Sequence, residues 1–379
     1  MENITQVRDQ FPITKNKVFL NHAAMSPPPK PVADAVRKCL DDFSNFGTTS
    51  MEWNDGGKPF FAKLVGAKPQ EIALVENTSM GMNMAANAIR PQSGSKVVTT
   101  DLEYPSVVYP WLRESLGVKV HYVKNVDGKI LLEDFEKAVD DNTAAVSVSH
   151  VEYANGFRND LKALSEIAHE HGAYLVVDAI QSAGAMQIDV KKDDVDFLAT
   201  AGYKWLLSPV GAGYLYVRDE LIQKLEPPFA GWASVKQEIF NTVDFWEIWK
   251  LQLSETASRF EVGSPSYLSL MGATEALKLL LNAGIANVEQ RILKLTDYLM
   301  EGLMNLGVNV KTPREKQCRS GIVLAEVDKP KELCEALTQK GIVTSARSRG
   351  LRISPHFYNT EQEMDKLLTE IKEWLKKTT

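Results

Sequence analysis

The stretch Asp196-Phe-Leu-Ala-Thr-Ala-Gly-Tyr-Lys-Trp-Leu-Leu-Ser-Pro-Val-Gly-Ala-Gly-Tyr-Leu-Tyr-Val217 decides the fold. It reads as a strand over Val195–Ala199, a bend of small residues, a lysine, an apolar and glycine-rich turn, and a second strand over Gly213–Val217. Most lysines are solvated surface groups. Lys204 differs because the sequence on both sides of it is apolar. A lysine drawn out of water has a lowered pKa and becomes a nucleophile towards aldehydes.

Working outward, the same texture repeats. Ile72–Val75, Lys96–Thr100, Val118–Val123, Ala144–Ser149 and Ala173–Asp178 are further strand-length apolar runs. Between them Ser79–Ile89, Tyr104–Leu116, Leu131–Val139 and Leu161–Glu170 carry helical periodicity, the last closed by Gly172. Strand–helix alternation of this kind predicts an α/β fold whose sheet is mostly parallel and covered by helices on both faces. After Phe260 the pattern changes. Long amphipathic stretches at Tyr267–Asn282 and Asn287–Asn305 precede a run at Gly321–Val327, a helix near Lys329–Lys340, an extended piece at Ile342–Thr344 and a terminal helix over Thr360–Lys377. The expected division is a large α/β domain over residues 15–260 and a smaller α+β domain over 261–379, joined by residues 1–14.

At about 150 residues per domain, the 379 residues fit two or three domains. Hydrophobic residues make up 44% and charged residues 24%, which excludes a disordered chain, a collagen-like fibre and a coiled-coil rod. With 43 basic and 49 acidic side chains the net charge is −6, a poor balance for gripping phosphate backbones, so no nucleic-acid partner is expected. Local basic pockets for small anions remain possible. Cys39, Cys318 and Cys334 are scattered without metal-ligand spacing, so neither a disulfide framework nor a metal site is expected. The apolar runs are too short for a membrane span, and the N-terminus carries no secretory pattern; the expectation is a cytoplasmic enzyme without a membrane partner.

In open α/β sheets ligands sit beyond the carboxyl ends of the strands. Asp178 ends the run Ala-Tyr-Leu-Val-Val-Asp and faces that crevice, either as a functional carboxylate or as a turn and helix cap. Thr78, Ser79 and Gly81 open a helix after Ile72–Val75, where hydroxyls and free N–H groups make an anion site or simply cap the helix. No Walker A and no GxGxxG pattern is present. An anion cup, a strand-end carboxylate and a buried lysine together suit pyridoxal 5'-phosphate, which needs a phosphate site, a carboxylate for its ring nitrogen and an amine for its aldehyde.

These residues resemble the class V, fold-type I pyridoxal-phosphate enzymes: aminotransferases, cysteine desulfurases, cystine lyases, kynureninase and isopenicillin N epimerase. The resemblance runs from Phe19-Leu-Asn-His-Ala-Ala to Tyr358-Asn-Thr. It implies that Thr78-Ser-Met-Gly81 holds the phosphate, Tyr104 stacks on the ring where the family usually has histidine, and Asp178 pairs with the ring nitrogen. It further implies that Gln181 contacts the ring hydroxyl, Tyr203 contacts the phosphate and Lys204 forms the Schiff base. Ser264, in Arg259-Phe-Glu-Val-Gly-Ser-Pro265, resembles a residue that reaches the phosphate of a neighbouring subunit, which implies a homodimer with shared sites. Arg352, in Leu351-Arg-Ile-Ser-Pro-His-Phe-Tyr-Asn-Thr360, resembles the arginine that grips the substrate α-carboxylate, a task suited to its planar fork. His22 and Asn155, in segments that the family places near the substrate, are expected as further substrate contacts.

The departures bear on the reaction. Desulfurases carry a nucleophilic cysteine on a loop shortly before that arginine. Here Gly341-Ile-Val-Thr-Ser-Ala-Arg-Ser-Arg-Gly-Leu-Arg352 contains none, and Cys318 reads as a packed or idle thiol. The segment His150-Val-Glu-Tyr-Ala-Asn-Gly156 is closer to the epimerase and aminotransferase branch. Arg347 and Arg349, just before Gly350, either attract a second carboxylate or are solvated. The cluster Phe245-Trp246-Glu-Ile-Trp249 reads as core, interface or active-site wall. The first expectation is an aminotransferase acting on an L-amino acid. The alternatives are a desulfurase-like or C–S lyase enzyme without a loop cysteine, and an epimerase. A non-catalytic relative and a nicotinamide-dependent dehydrogenase are the competing classes. The first has no need of Lys204, Asp178 and Arg352 together, and the second lacks its glycine fingerprint.

Overall fold

Short runs of buried apolar residues make the strands: β1 (Val18–Phe19), β2 (Ile72–Val75), β3 (Lys96–Thr100), β4 (Lys119–Val123), β5 (Thr143–Ser149), β6 (Tyr174–Asp178), β7 (Phe197–Ala201), β8 (Gly213–Val217), β9 (Val323–Glu326), β10 (Ile342–Val343), β11 (Ser345–Arg347) and β12 (Gly350–Ile353). The helices are α1 (Ile4–Asp9), α2 (Lys30–Phe46), α3 (Lys58–Val65), α4 (Thr78–Ile89), α5 (Pro105–Val108), α6 (Leu132–Ala138), α7 (Leu161–Glu170), α8 (Asp219–Lys224), α9 (Tyr267–Ala283), α10 (Ile285–Asn305), α11 (Pro330–Gln339) and α12 (Glu361–Thr378). The computed structural model describes residues 4–49, 55–236, 249–347 and 349–378. Except for Trp249, which is exposed, the aromatic cluster that begins at Phe245 lies outside the described residues.

A seven-stranded sheet in the order β2-β8-β7-β6-β5-β3-β4 forms the centre. Its pairs are parallel from β7 through β6, β5 and β3 to β4, while β8 runs antiparallel to both β2 and β7. The fold is therefore α/β with a mostly parallel sheet, and one strand reversed. Sequence explains the positions. Strands β6, β7 and β8 are buried almost throughout, as a sheet covered on both faces requires. Strand β4, Lys-Val-His-Tyr-Val, is mostly exposed and closes one edge. One apolar core, with Phe61, Leu175, Val177, Leu198 and Trp205, lies on one side of the sheet. A second, with Met82, Ala85, Ile89 and Trp111, lies on the side that carries α4 and α5.

A third core gathers Leu20, Leu295, Leu299, Leu303, Val323, Leu333, Ile353 and Leu367 around the antiparallel order β11-β12-β9. Strand β1 joins it by pairing in parallel with β10. The change of core does not fall at residue 260. Helix α9 packs on α2 and α3, and its Leu270, Ala273 and Leu277 belong to the first core, as does Phe11. The helix expected over Tyr104–Leu116 is also corrected. Only α5 and a turn of 3-10 helix at Glu114–Leu116 form. Pro110 lacks an N–H and its ring clashes with the carbonyl four residues back, so a helix cannot run through it.

Candidate active site

Thr78 follows β2, Tyr104 follows β3, Ser149 ends β5, Asp178 ends β6 and Lys204 follows β7, so all five stand beyond the carboxyl ends of strands that run in one direction. A cleft of about 390 Å³ opens there, lined by Asn77, Thr78, Ser79, Tyr104, Asp178, Tyr203 and Lys204 among others.

Lys204 is held on a tight loop. Leu207 N–H donates to the Lys204 carbonyl at 3.0 Å, and Ser208 N–H to that of Gly202 at 2.9 Å. A Cβ on Gly202 would lie 2.6 Å from the Ser208 side chain, so the loop closes only because residue 202 has none. The neighbouring Trp205 is fully buried and donates its indole N–H to Gln181 Oε1 at 2.9 Å. Its carbonyl lies 3.0 Å from His356 Nε2, which ties the lysine loop to the segment after β12. Lys204 is 9% exposed. Its Nζ lies 5.8 Å from the Tyr104 ring centre and 5.9 Å from that of Tyr203, and no hydrogen-bond acceptor is in reach of it among the described residues. Burial pulls the amine down to about 8. Asp178 opposes this, and Arg352 and Arg347 reinforce it. An amine so placed is neutral for part of its time near pH 8.

Asp178 is buried, and its Oδ1 accepts the Ile180 N–H at 2.8 Å. Burial raises its pKa to about 6, against the Ile180 hydrogen bond and the charge of Lys204. Helix α4 begins with Asn77 as its cap, whose side chain accepts the Met80 N–H at 2.9 Å. This leaves the N–H groups of Thr78 and Ser79 without protein acceptors among the described residues. Thr78 Oγ1 is buried and unpaired, and Ser79 Oγ lies 2.7 Å from Ser106 Oγ. A twelve-residue helix with an orphaned hydroxyl at its start is built to receive an anion. An orphaned hydroxyl at a helix start, a buried carboxylate and a buried amine are the types of group that the phosphate, ring nitrogen and aldehyde of pyridoxal phosphate would need.

Arg352 reaches the same region from β12. It is 2% exposed, donates from Nη1 to the Tyr153 carbonyl at 2.8 Å and from Nε to Ser345 Oγ at 3.3 Å. Its Nη2 has no protein acceptor among the described residues. Burial and Arg347 lower its pKa to about 10, while the nearby phenols of Tyr153 and Tyr104 favour its charge.

Three expected contacts are engaged elsewhere. His22 is fully buried, with Nδ1 2.8 Å from the Ser354 carbonyl and Nε2 2.8 Å from the Tyr358 hydroxyl. Its ring ties β1 to the segment after β12 through both nitrogens. Asn155 Nδ2 donates to the Gly128 carbonyl at 2.6 Å and its Oδ1 accepts the Phe157 N–H at 3.0 Å. Gln181 donates to the Ala23 carbonyl at 3.0 Å while accepting from Trp205. Ser264 is exposed and borders a different, apolar pocket with Leu74, Met80 and Phe229.

Sequence reasoning passed over the carboxylates behind Asp178. Glu103 accepts the N–H and Oγ–H of Ser149, both at 2.6 Å, and Ser149 pairs with Asp178 across the sheet. Burial pushes Glu103 up to about 8, with Asp178 adding to the effect. Glu152 is fully buried, and its Oε2 has no partner. Burial, then Glu103 and Asp178, hold Glu152 well above the ordinary carboxylate range. The signal was present, since Glu103 follows an apolar strand as Asp178 ends one.

The profile of the family Aminotransferase class-V matches residues 18–367. Among curated relatives, the "Uncharacterized aminotransferase YcbU" of Bacillus subtilis (strain 168) is 30% identical over 369 residues, covering 97% of this chain and 96% of that protein. A probable cysteine desulfurase of Pyrococcus abyssi is also 30% identical, covering 98% of this chain and 97% of that one. The apo structure of a cysteine desulfurase from Thermococcus onnurineus NA1 superposes with a TM-score of 0.88 at 29% identity, covering 98% of both chains. The chain therefore belongs to the class-V aminotransferases and is a pyridoxal-phosphate-dependent enzyme.

Proposed function

We propose that the protein is an aminotransferase acting on an L-amino acid. One observation carries this choice within the family. The chain before Arg352 is a tight β11–β12 hairpin in which Ser345 faces Arg352 and Arg347 faces Gly350, not a loop that carries a thiol. Cys39 is buried in α2, Cys334 is bonded to the Thr344 carbonyl at 3.3 Å, and Cys318 is half-buried beside the first core. None of the three lines the cleft. A reaction that needs a protein thiol to accept sulfur has no such group at this cleft.

Bound pyridoxal phosphate supplies an electrophilic carbon and an electron-withdrawing ring that make the α-hydrogen of an amino acid acidic. In this reading Thr78 and Ser79, with their free N–H groups, hold the phosphate. Asp178 would take the ring nitrogen, whose positive charge would keep its carboxyl ionised despite burial. Tyr104 covers a ring face, with Tyr203 on the phosphate side. Gln181, besides holding Ala23 and Trp205, would offer its second Nε2 hydrogen or Oε1 lone pair to the ring hydroxyl. Arg352 turns its free Nη2 towards the α-carboxylate. Lys204 Nζ, once the substrate amine has taken its place at the cofactor, would be the base for the α-proton, because burial keeps a useful share of the free amine neutral. Ser264, exposed and away from its own cleft, would serve the phosphate of a second copy in a homodimer. The test is to incubate the loaded enzyme with L-amino acids and a keto-acid acceptor. Stoichiometric keto-acid formation from the donor supports the reading. Sustained sulfide or pyruvate release from cysteine or cystine, with no acceptor consumed, would replace it with C–S lysis.

A further inference from the structure

The β11–β12 hairpin carries a second guanidinium, Arg347, on the face that holds Arg352. Side chains two apart on a strand share a face, and directly paired residues across an antiparallel ladder share it too. Ser345 pairs with Arg352 and Arg347 pairs with Gly350, so Arg347 and Arg352 lie on one face. Ser345 Oγ accepts from Arg352 Nε on that face, at 3.3 Å. Gly350 opposite Arg347 has no side chain because Ala325 O and Leu324 Cδ1 crowd the position where a Cβ would stand, and Glu326 of β9 pairs with it on the same face. The opposite face, with Leu351, packs into the third core. At about 3.3 Å per residue the two arginines leave the hairpin roughly 7 Å apart along the strand, a spacing suited to the two ends of a short dicarboxylate.

Arg347 is solvent-exposed and has no ion pair among the described residues; Nη1 donates only to the Ala346 carbonyl, at 2.7 Å. It lines a groove with Glu326, Asp328 and Glu332 next to the hairpin, not the cleft wall around Lys204, and none of these carboxylates is ion-paired with it. Its charge is nonetheless felt in the cleft, since it lowers the pKa of both Lys204 and Arg352. The charges that act on Lys204 are the guanidinium groups of Arg347 and Arg352, opposed by the carboxylate of Asp178. This imbalance sits on a chain whose net charge is −6.

We propose that Arg347 is the specificity residue of this site, binding the second carboxylate of a short dicarboxylic amino acid or keto acid of the glutamate or aspartate class. The inference rests on Arg352 as the α-carboxylate clamp and names the substrate class of the same site. A carboxylate paired with a guanidinium forms charge-assisted bonds, and each tenfold in affinity corresponds to about 1.4 kcal/mol.

The test uses unreactive probes on the cofactor-loaded enzyme, glutarate and butyrate, with affinity read from the change in the cofactor absorbance band. The wild type is expected to bind glutarate about tenfold or more tighter than butyrate. Arg347→Gln should remove most of that preference, weakening glutarate far more than butyrate, and Arg347→Lys should retain part of it. Equal affinity for the two probes in the wild type, or an undiminished preference in Arg347→Gln, overturns the proposal. Arg352→Gln should weaken both probes, which tests the clamp separately. Glutarate preference lost in Arg347→Gln, in an enzyme that transaminates nothing, would sustain this inference while refuting the proposed reaction.

Discussion

Gly81 tests whether the anion cup and the lysine are held in one rigid frame. It lies in the first turn of α4, where that helix crosses β7. A Cβ there would stand 2.7 Å from Ala199 Cβ, against 3.4 Å for the near edge of ordinary contact, so Gly81→Ala must separate helix and strand by about 0.7 Å. Ala199 cannot rotate out of the way, because its Cβ is fixed to the backbone. Overpacking of this kind costs about 1–3 kcal/mol. Against it, replacing glycine by alanine in a helix gains about 1 kcal/mol. The expected net result is a loss of about 1 kcal/mol in stability, with a larger effect on cofactor binding. Thr78 and Ser79 move with the helix while Lys204 stays with the strand, and misplacement approaching 1 Å costs up to about a hundredfold in well-oriented sites. The assay is the denaturant midpoint of the apo protein together with the cofactor dissociation constant. Ala199→Gly removes the opposing methyl, so the double variant should bind cofactor more tightly than Gly81→Ala alone, a favourable coupling. Stabilisation by Gly81→Ala, or no coupling in the double variant, would refute the reasoning.

The other predictions concern charge. Lys204→Ala should eliminate the borohydride-reducible cofactor adduct; a retained adduct would move the covalent site elsewhere. Asp178→Asn removes the carboxylate that favours the ammonium form of Lys204, so the amine should titrate below its wild-type value of about 8, as read by the pH dependence of reductive alkylation at that lysine; an upward shift contradicts the account. Glu152 binds its proton more tightly folded than unfolded, so its contribution to stability is full below the unfolded carboxyl pKa and is lost as pH rises. Glu152→Gln should therefore match the wild type near pH 5 and exceed it in thermal midpoint near pH 8; a parallel pH dependence of the two proteins would count against a protonated Glu152.

Much of the large sheet was legible because its strands are buried on both faces and read as continuous apolar runs. Ile72–Val75 and Gly213–Val217 have the bounds the pattern gave them. The direction of Gly213–Val217 was not legible, since the residues of an antiparallel strand inside a covered sheet look like those of a parallel one. The short helix after Tyr104 failed on Pro110, where periodicity was allowed to outweigh the missing N–H. At the cleft, Asp178 and Lys204 stood out because a charged residue at the end of an apolar run is costly unless it is used. His22, Asn155 and Gln181 were beyond reach for the opposite reason. Their partners Ser354, Gly128 and Ala23 lie far away in sequence, and no local pattern announces a long-range hydrogen bond. The same holds for β1 and β10, which meet only through tertiary packing. The face shared by Arg347 and Arg352 also required the hairpin register, which hydropathy alone does not fix when the turn is this short.

The most direct test of the central claim is a single-turnover experiment on the cofactor-loaded enzyme with L-glutamate and L-cysteine in parallel, recording the cofactor band, keto acid and sulfide. An aminotransferase of this design converts its cofactor to the amine form with one equivalent of keto acid per site from glutamate, and releases no sulfide from cysteine until long after. Persistence of the original band with many equivalents of sulfide or pyruvate would contradict the account, and would require sulfur chemistry at a cleft that no cysteine lines.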